Sequence, residues 1–330
     1  MMEFSKTLTV SDSFAPRRYI KEMARATQIY YLSWVALALL IIVDYYGAHY
    51  VGPTFTDPQL NLIVTAVLIA LSVLFYGMFG AGSYVGTMMR YLALWIPTEP
   101  ALRVLTYIFT NRTFPATDAS LDYFDKILGF DWLTWYRCVN LHPWLQFVLN
   151  AAYVSAGPQI IVSIIYFSHR GEPNKNNEFW WMNAIALVIT TFVAYFFPAM
   201  GAYEYFGAVG GLHGAHLHDL HGLREGTLTV VSLEEIRGLI TLPSFHTVLA
   251  ILLTYVYRDN RFMLSIALPL NLLMLVSIPS EGGHYLADML AGGAVAALSI
   301  WIVARTFPSI VTNVMVKSSG GSHPLQSVHG

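Results

Sequence analysis

Two short clusters of polar residues each open an apolar stretch in the last third of the chain. The first cluster holds Ser244 and His246 behind Pro243, and the second holds His284 and Asp288 behind two glycines. Ionisable groups at the mouth of an apolar helix are costly to place beside a membrane, so they invite a functional explanation. These two clusters are therefore the candidate site.

The spacing of the clusters indicates acid–base or nucleophilic chemistry. His284 and Asp288 are four residues apart at the start of a predicted helix, so they share one face. A carboxylate there can fix one imidazole nitrogen and leave the other as a base or nucleophile. His246 is predicted in the first turn of another helix, where Pro243 and Ser244 favour initiation and free N–H groups suit an anion. An apolar hairpin between the clusters returns the chain to the same face, so the clusters can converge on a phosphate.

Composition defines the class of protein that must hold this site. Of the 330 residues, 55% are hydrophobic and 12% are charged, whereas soluble domains carry roughly 25% charged residues. The chain is therefore predicted to be a polytopic membrane protein. A net charge of -2 without a basic block argues against a nucleic-acid partner. The single cysteine, Cys138, excludes an intrachain disulfide and a cysteine-based zinc site.

Apolar runs predict seven membrane spans, at residues 29–51, 60–79, 144–167, 179–200, 242–257, 262–278 and 284–306. Polar loops are predicted at 168–178 and 201–242. Residues 84–110 are apolar but interrupted by Arg90, Pro97, Glu99, Pro100 and Arg103, which leaves a tilted span, a re-entrant segment and an interfacial helix open. The predicted number of membrane spans is thus seven or eight, and the distribution of Lys and Arg between the two sides of the membrane does not decide between these numbers.

Four segments follow from this pattern. Residues 1–28 are predicted to be a cytoplasmic or interfacial leader, and 29–143 to contain the N-terminal spans and an interfacial region with a short amphipathic helix. Residues 144–306 are predicted to form the catalytic membrane core, and 307–330 a disordered tail.

The clusters resemble the motifs of a known family. Pro243-Ser244-Phe245-His246 resembles the Pro-Ser-Gly-His motif of the type 2 phosphatidic acid phosphatase (PAP2) superfamily, and His284-Tyr285-Leu286-Ala287-Asp288 resembles its His-Tyr-x-x-Asp motif. The resemblance covers residues 144–306 and is closest to the bacterial branch related to inositol-phosphorylceramide synthase and sphingomyelin synthase. It implies an all-α fold, a six-helix core with extra N-terminal spans, in a bacterial inner membrane with the active site on the extracytoplasmic side.

The resemblance also implies a mechanism. His284 would attack phosphorus, Asp288 would orient it, and His246 would protonate the leaving alkoxide. A lipid phosphoester would be the substrate, and water, an alcohol or a ceramide-like molecule the acceptor; this chemistry needs no metal or other cofactor.

The family's basic motifs are missing from this chain. The Lys-x6-Arg-Pro motif is absent, and Ile278 stands where the third motif has arginine. Phosphoryl transfer needs charge neutralisation, so other groups must bind the phosphate. The candidates are Ser244, Phe245, Arg224 and Arg237. The missing cations favour a synthase-like phosphotransferase over a general phosphomonoesterase.

Two rival functions remain open. The histidine-rich stretch 213–221 could hold iron as in a histidine-box membrane oxidase, or it could be a solvated, flexible loop beside the active site. A proton-coupled transporter using His284 and Asp288 would carry charged residues deep in its spans, and the predicted spans are nearly uncharged.

Overall fold

The computed structural model describes residues 14–50, 52–80, 82–110, 114–208 and 215–308. Within these ranges the chain forms thirteen α-helices and two three-residue strands. They are α1 (Phe14–Tyr50), β1 (Thr54–Thr56), α2 (Gln59–Phe79), α3 (Tyr84–Ile108), α4 (Asp118–Ile127), α5 (Trp132–Asn140), α6 (Pro143–Val154), α7 (Ala156–His169), α8 (Pro173–Phe196), α9 (Ala202–Tyr205), α10 (Ala215–Glu225), β2 (Val230–Ser232), α11 (Phe245–Tyr255), α12 (Arg261–Gly282) and α13 (Leu286–Thr306).

The predicted all-α polytopic class is confirmed. Residues Met23–Tyr50 of α1 and the whole of α2, α8, α12 and α13 are long and apolar enough to cross a membrane. Helices α6 and α7, bent by 44° at their junction, together make a sixth candidate span. The predicted continuous span at 144–167 is therefore a broken one. Helix α11 has only 11 residues, which explains why fewer spans qualify than the sequence predicted.

Helix α3 resolves the ambiguous segment at 84–110 as one continuous helix of 25 residues. The Arg90 guanidinium lies over the rings of Tyr30 and Tyr91, 4.4 and 5.2 Å from their centroids. Such cation–π contacts lower the cost of keeping a charge away from water. Because α3 packs against α1, α2, α7 and α8, its sequence does not need the apolar composition of a lipid-facing helix.

The predicted loop at 168–178 is wrong in its second half, because α8 begins at Pro173. The two charged residues there, Lys175 and Glu178, are buried and paired. Lys175 Nζ lies 2.6 Å from Asp259 Oδ2, and Arg258 lies 2.6 Å from Glu178 Oε1. This ionic cluster joins the start of α8 to the turn between α11 and α12, at the opposite end of α11 from His246.

The two ends of the chain differ from the sequence prediction where they are described. Helix α1 begins at Phe14, so the described part of the predicted leader is helical; residues 1–13, and residues 309–330 of the predicted tail, lie outside the described residues. Side chains of α1 and α3 share one buried apolar cluster with side chains of α7, α8, α11, α12 and α13. Helices α1 and α3 therefore belong to the same core as the helices that carry the two polar clusters.

The predicted interfacial region contains two amphipathic helices, α4 and α5. Helix α4 buries three aspartates, Asp118, Asp122 and Asp125. Its exposed side chains include large apolar ones such as Phe124 and Ile127. A helix with polar groups turned inward and apolar groups outward suits a position against lipid, with the carboxylates directed at the protein.

Candidate active site

The two polar clusters meet at the starts of α11 and α13. Ser244 caps α11, since its Oγ accepts a hydrogen bond from Thr247 N at 3.4 Å. The Ser244 N–H donates to the Asp288 carbonyl at 3.0 Å. This backbone bond links one cluster directly to the other.

A glycine lets the two helices approach this closely. A Cβ placed on Gly292 of α13 would lie 2.4 Å from the Ser244 carbonyl oxygen and 3.0 Å from Thr247 Cβ. On neighbouring Gly293 the nearest atom to such a Cβ is Ile251 Cδ1, at 3.8 Å. The spacing of His246 and His284 therefore depends on the missing side chain at Gly292.

The structure brings His284 and Asp288 together inside the protein. His284 Nδ1 lies 3.4 Å from Asp288 Oδ2, and the two side chains are 7% and 0% exposed. Asp288 Oδ2 also accepts from the Tyr285 N–H at 3.0 Å. Within the described part of the chain, His284 Nδ1 has no hydrogen-bond partner, and Asp288 Oδ2 is the carboxylate oxygen within ion-pair distance of it. Asp288 is thus the group that can fix the His284 tautomer.

Tyr153 of α6 adjoins both histidines. Its ring stacks on His246 with centroids 3.9 Å apart and planes 18° apart. A Cβ on Gly282 would meet the Tyr153 hydroxyl at 2.9 Å and His284 Cδ2 at 2.7 Å. The hydroxyl and the Cδ2 edge of His284, which carries Nε2, therefore face the same small space. Sequence reasoning missed Tyr153, because an aromatic residue in an apolar run has no local signal of this role.

Two aspartates of α4 hold the second cluster in place. The Leu286 and Ala287 N–H groups each donate to the Asp125 carboxylate at 2.9 Å. The start of α13 thus already carries an anion, a carboxylate of the protein itself. Burial raises the pKa of Asp125, while these two N–H groups lower it. Asp118 accepts from the Gly201 N–H at 2.8 Å and from the Tyr285 hydroxyl at 3.2 Å.

A fourth carboxylate, that of Glu281, lies at the end of α12. Glu281 is 7% exposed, and Asn150 of α6 donates to its Oε2 at 3.1 Å. It precedes His284 by three positions and acts electrostatically on the Tyr153 hydroxyl. The site therefore contains a buried negative charge that the sequence analysis did not identify.

The predicted phosphate ligands are placed unequally. Ser244 is buried, and both its hydroxyl and its N–H bond within the protein. Phe245 packs against the apolar core. Arg224, in the last turn of α10, donates to the Phe114 carbonyl at 3.0 Å. Arg237 Nη1 lies 3.9 Å from Asp219 Oδ2.

Arg103 is a cation that sequence reasoning treated only as an interruption of α3. Its Nη1 donates to the Ile236 carbonyl at 2.9 Å, which brings it beside Arg237. Arg103 and His284 both lie within electrostatic range of His246. Arg103 Nη2 also lies 2.8 Å from Glu99 Oε2. Arg103 and Arg237 are thus two arginines near one edge of the site, each with a carboxylate neighbour.

The histidine-rich stretch is helical rather than a loop where it is described, since residues 215–225 form α10; residues 213 and 214 lie outside the described residues. His216 faces the site. Burial, then the charges of His284 and Arg237, lower its pKa to about 4. His221 contacts Glu204 at 3.1 Å instead. In the described ranges, no three His, Cys, Asp or Glu side chains are grouped as ligands for a metal ion. The iron-site hypothesis therefore has no donor set there.

A comparison with protein families identifies the framework of this site. The family model described as PAP2 superfamily matches residues 119–302, more than half of the chain. The chain belongs to the PAP2 superfamily. The match begins in α4 and ends in α13, so it includes Asp125 and Tyr153 as well as both histidines. No curated protein and no solved structure matches the chain. Membership in the PAP2 superfamily indicates phosphatase or phosphotransferase activity on lipid phosphoesters in membranes.

Proposed function

We propose that this PAP2 protein transfers a phosphoryl-containing group from a membrane lipid through a phosphohistidine at His284. The observation that carries the proposal is the joining of two helix starts by the Ser244 N–Asp288 O bond of 3.0 Å. It places one histidine with a carboxylate partner beside a second histidine without one. That pair of environments suits a nucleophile and a proton donor, respectively.

In the first step, the His284 Nδ1 proton points to Asp288 and the Nε2 lone pair attacks phosphorus. The bond between phosphorus and the leaving alkoxide breaks, and His246, which takes up a proton as the anionic substrate binds, gives that proton to the leaving oxygen. The carboxylate of Asp288 stabilises the imidazole as it loses electron density. The Nδ1–Oδ2 distance of 3.4 Å is long for such a bond, and catalytic hydrogen bonds commonly tighten in the substrate complex.

In the second step, neutral His246 takes a proton from water or from an alcohol as that oxygen attacks phosphorus. The P–N bond breaks, and the electron pair returns to His284 Nε2. Water as acceptor gives hydrolysis, and an alcohol gives head-group transfer. The same two histidines therefore serve both outcomes.

Arg103 and Arg237 are the proposed phosphate-neutralising cations. Their side chains are 44% and 45% exposed, which leaves room for each guanidinium to turn toward a bound anion. Arginine suits this role because its planar fork matches phosphate oxygens. They would replace the missing basic motifs.

The charges of the site favour a phosphodiester substrate. A phosphomonoester carries about -1.5 to -2 charges at pH 7, whereas a phosphodiester carries only one. The site lacks the family's Lys-x6-Arg-Pro motif and its third-motif arginine and contains the buried Glu281 carboxylate, so the less charged substrate is repelled less. This supports a head-group transferase of the synthase-like branch, with an alcohol or ceramide-like acceptor.

The activity is tested with purified protein in phosphatidylcholine-free micelles. Phosphatidic acid and a panel of phosphodiester lipids are each supplied with and without alcohol and ceramide acceptors, and products are identified by mass spectrometry. We expect turnover of a phosphodiester with transfer to an acceptor, and a loss of at least about 10³-fold in His284→Ala. The matched control is His169→Ala, at the exposed end of α7, which keeps full activity. Full activity of a folded His284→Ala protein contradicts the mechanism, and faster turnover of phosphatidic acid than of any diester contradicts the substrate class.

The proposed extracytoplasmic side of the site is testable with the chain's single cysteine. Cys138 is exposed on α5, and Trp132 of that helix donates to the Pro279 carbonyl near the site at 2.9 Å. A membrane-impermeant maleimide is expected to label Cys138 in sealed, right-side-out cells, with Cys138→Ser as the blank. Labelling only after the membrane is opened contradicts this orientation.

A further inference from the structure

A second cavity lies apart from the catalytic clusters, between α1, α2 and α3. It holds about 470 Å³, within the range of roughly 300–1,000 Å³ typical of small-molecule sites. Its walls are mostly apolar, with Ile41, Leu62 and Val104 among them. None of the catalytic or phosphate-binding residues named above lines it.

Asp44 of α1 is the charged group in the wall of this cavity. The residue is 6% exposed. Neither of its carboxylate oxygens has a hydrogen-bond partner in the part of the chain that is described. A buried carboxylate without a partner is strongly disfavoured, and in a membrane helix such a group marks a site for a ligand or ion. The cavity is therefore incomplete without a hydrogen-bond donor.

The position of Asp44 indicates what kind of molecule supplies that donor. It lies six residues before the end of α1 at Tyr50, about 9 Å along the helix axis. This depth corresponds to the boundary between lipid chains and head groups. Asn61, whose amide oxygen can accept a further hydrogen bond, lines the same cavity. A polar group at this depth above apolar walls matches an amphiphile rather than a water-soluble metabolite.

We propose that this cavity binds a long-chain amphiphile whose primary ammonium head group pairs with Asp44. The ammonium cation supplies both the charge and the three N–H donors that the carboxylate lacks. The alkyl chain lies along the apolar walls of α1, α2 and α3. This site is independent of the phosphohistidine mechanism and stands even if that mechanism fails.

The cavity also borders the segment that leads to the catalytic helix. Strand β1 pairs in parallel with β2, and the Leu233 N–H donates to the Thr56 carbonyl at 2.9 Å. Leu233 itself lines the cavity. If a bound amphiphile is crosslinked to the protein, we therefore expect crosslinked peptides from β1 and from the region of β2 in addition to those from α1 to α3.

Photo-crosslinking in phosphatidylcholine nanodiscs tests the proposal. The probe is a long-chain primary amine with a diazirine in its chain, compared with the alcohol, trimethylammonium and carboxylic acid of equal chain length. Labelled peptides are mapped by mass spectrometry, with unlabelled amine as competitor. The expected order of labelling is amine, then alcohol, with the other two lowest, and Asp44→Leu lowers amine labelling at least about tenfold, which corresponds to about 1.4 kcal/mol.

Two results overturn the proposal. Equal labelling by all four head groups means that bilayer chains fill the groove without selection, and unchanged amine labelling in Asp44→Leu means that the carboxylate does not bind the head group. If Asp44→Leu does not insert, Asp44→Asn replaces it, and we expect this variant to lose the preference for amine over alcohol. The comparison of head groups on the unmodified protein needs no variant at all.

Discussion

Replacing Gly292 by alanine tests whether the contact between α11 and α13 sets the catalytic geometry. The added Cβ would lie 2.4 Å from the Ser244 carbonyl oxygen, whereas ordinary van der Waals contact begins at 3.4 Å. That oxygen belongs to the backbone, so one helix must move by about 1 Å. A displacement of about 1 Å in an active site can cost on the order of 10²-fold in rate, and the overpacking costs about 1–3 kcal/mol in stability.

The matched control is the next residue. At Gly293 the nearest atom to an added Cβ is 3.8 Å away, so Gly293→Ala keeps the geometry. Alanine in a helix interior is also favoured over glycine by about 0.5–1 kcal/mol. Lipid phosphotransfer rates of both variants are measured in micelles, together with their thermal unfolding. We expect Gly292→Ala to lose about 10²-fold in turnover while Gly293→Ala stays within about twofold of the unmodified protein. Equal activity of the two variants would show that this contact does not position the histidines.

Four further changes probe the groups around the site. Asp125→Asn weakens the hold on the start of α13 and should lower the free energy of unfolding by about 1–3 kcal/mol, seen in urea titrations; unchanged stability would deny the capping role. Tyr153→Leu removes the ring that stacks on His246 and should reduce turnover more than Tyr153→Phe, which keeps the ring; equal losses would assign the role to the hydroxyl. The pKa of His216 is lowered to about 4, so between pH 6.5 and 4 the unfolded chain binds a proton that the folded chain does not. Stability should therefore fall as pH falls through that window, and less so in His216→Gln; parallel pH profiles would contradict this. Glu178→Gln removes the buried carboxylate that pairs with both Arg258 and Lys175 and should lower the free energy of unfolding by about 3–5 kcal/mol, with normal turnover per folded molecule.

The meeting of the two polar clusters could be predicted from the sequence because their signals are local. The four-residue spacing of His284 and Asp288 on a helix fixes their shared face, and the helix N-cap at Ser244 follows from residue type. Both depend only on neighbours in the chain. The hairpin formed by α11 and α12 could then be predicted from the lengths of two apolar runs alone.

The supporting groups could not be predicted in this way, because their roles arise from contacts distant in sequence. Asp125 in an interfacial helix became a cap for α13, and Arg103 became a neighbour of Arg237. No pattern in either local segment indicates such a partner. These roles exist only after the helices pack.

Buried polar runs account for the errors in helix boundaries. The start of α8 looked like a loop because Lys175 and Glu178 are charged, yet the structure pairs both in a buried cluster. Helix α3 was ambiguous for the same reason, since its arginine at position 90 is enclosed by tyrosine rings. Composition identifies lipid-facing helices well, but a helix surrounded by protein does not follow the same rule.

The most direct test of the central proposal is to trap phosphorus on His284. The protein is mixed with a lipid phosphoester labelled at phosphorus, quenched in alkali within a few turnovers, digested and analysed by mass spectrometry under neutral conditions. The mechanism predicts an acid-labile phosphohistidine at His284 that is absent from His284→Gln. His246→Gln should still form it with substrates whose leaving group departs without taking up a proton. A catalytically active protein that carries no label on His284, or carries the same label in His284→Gln, would contradict it.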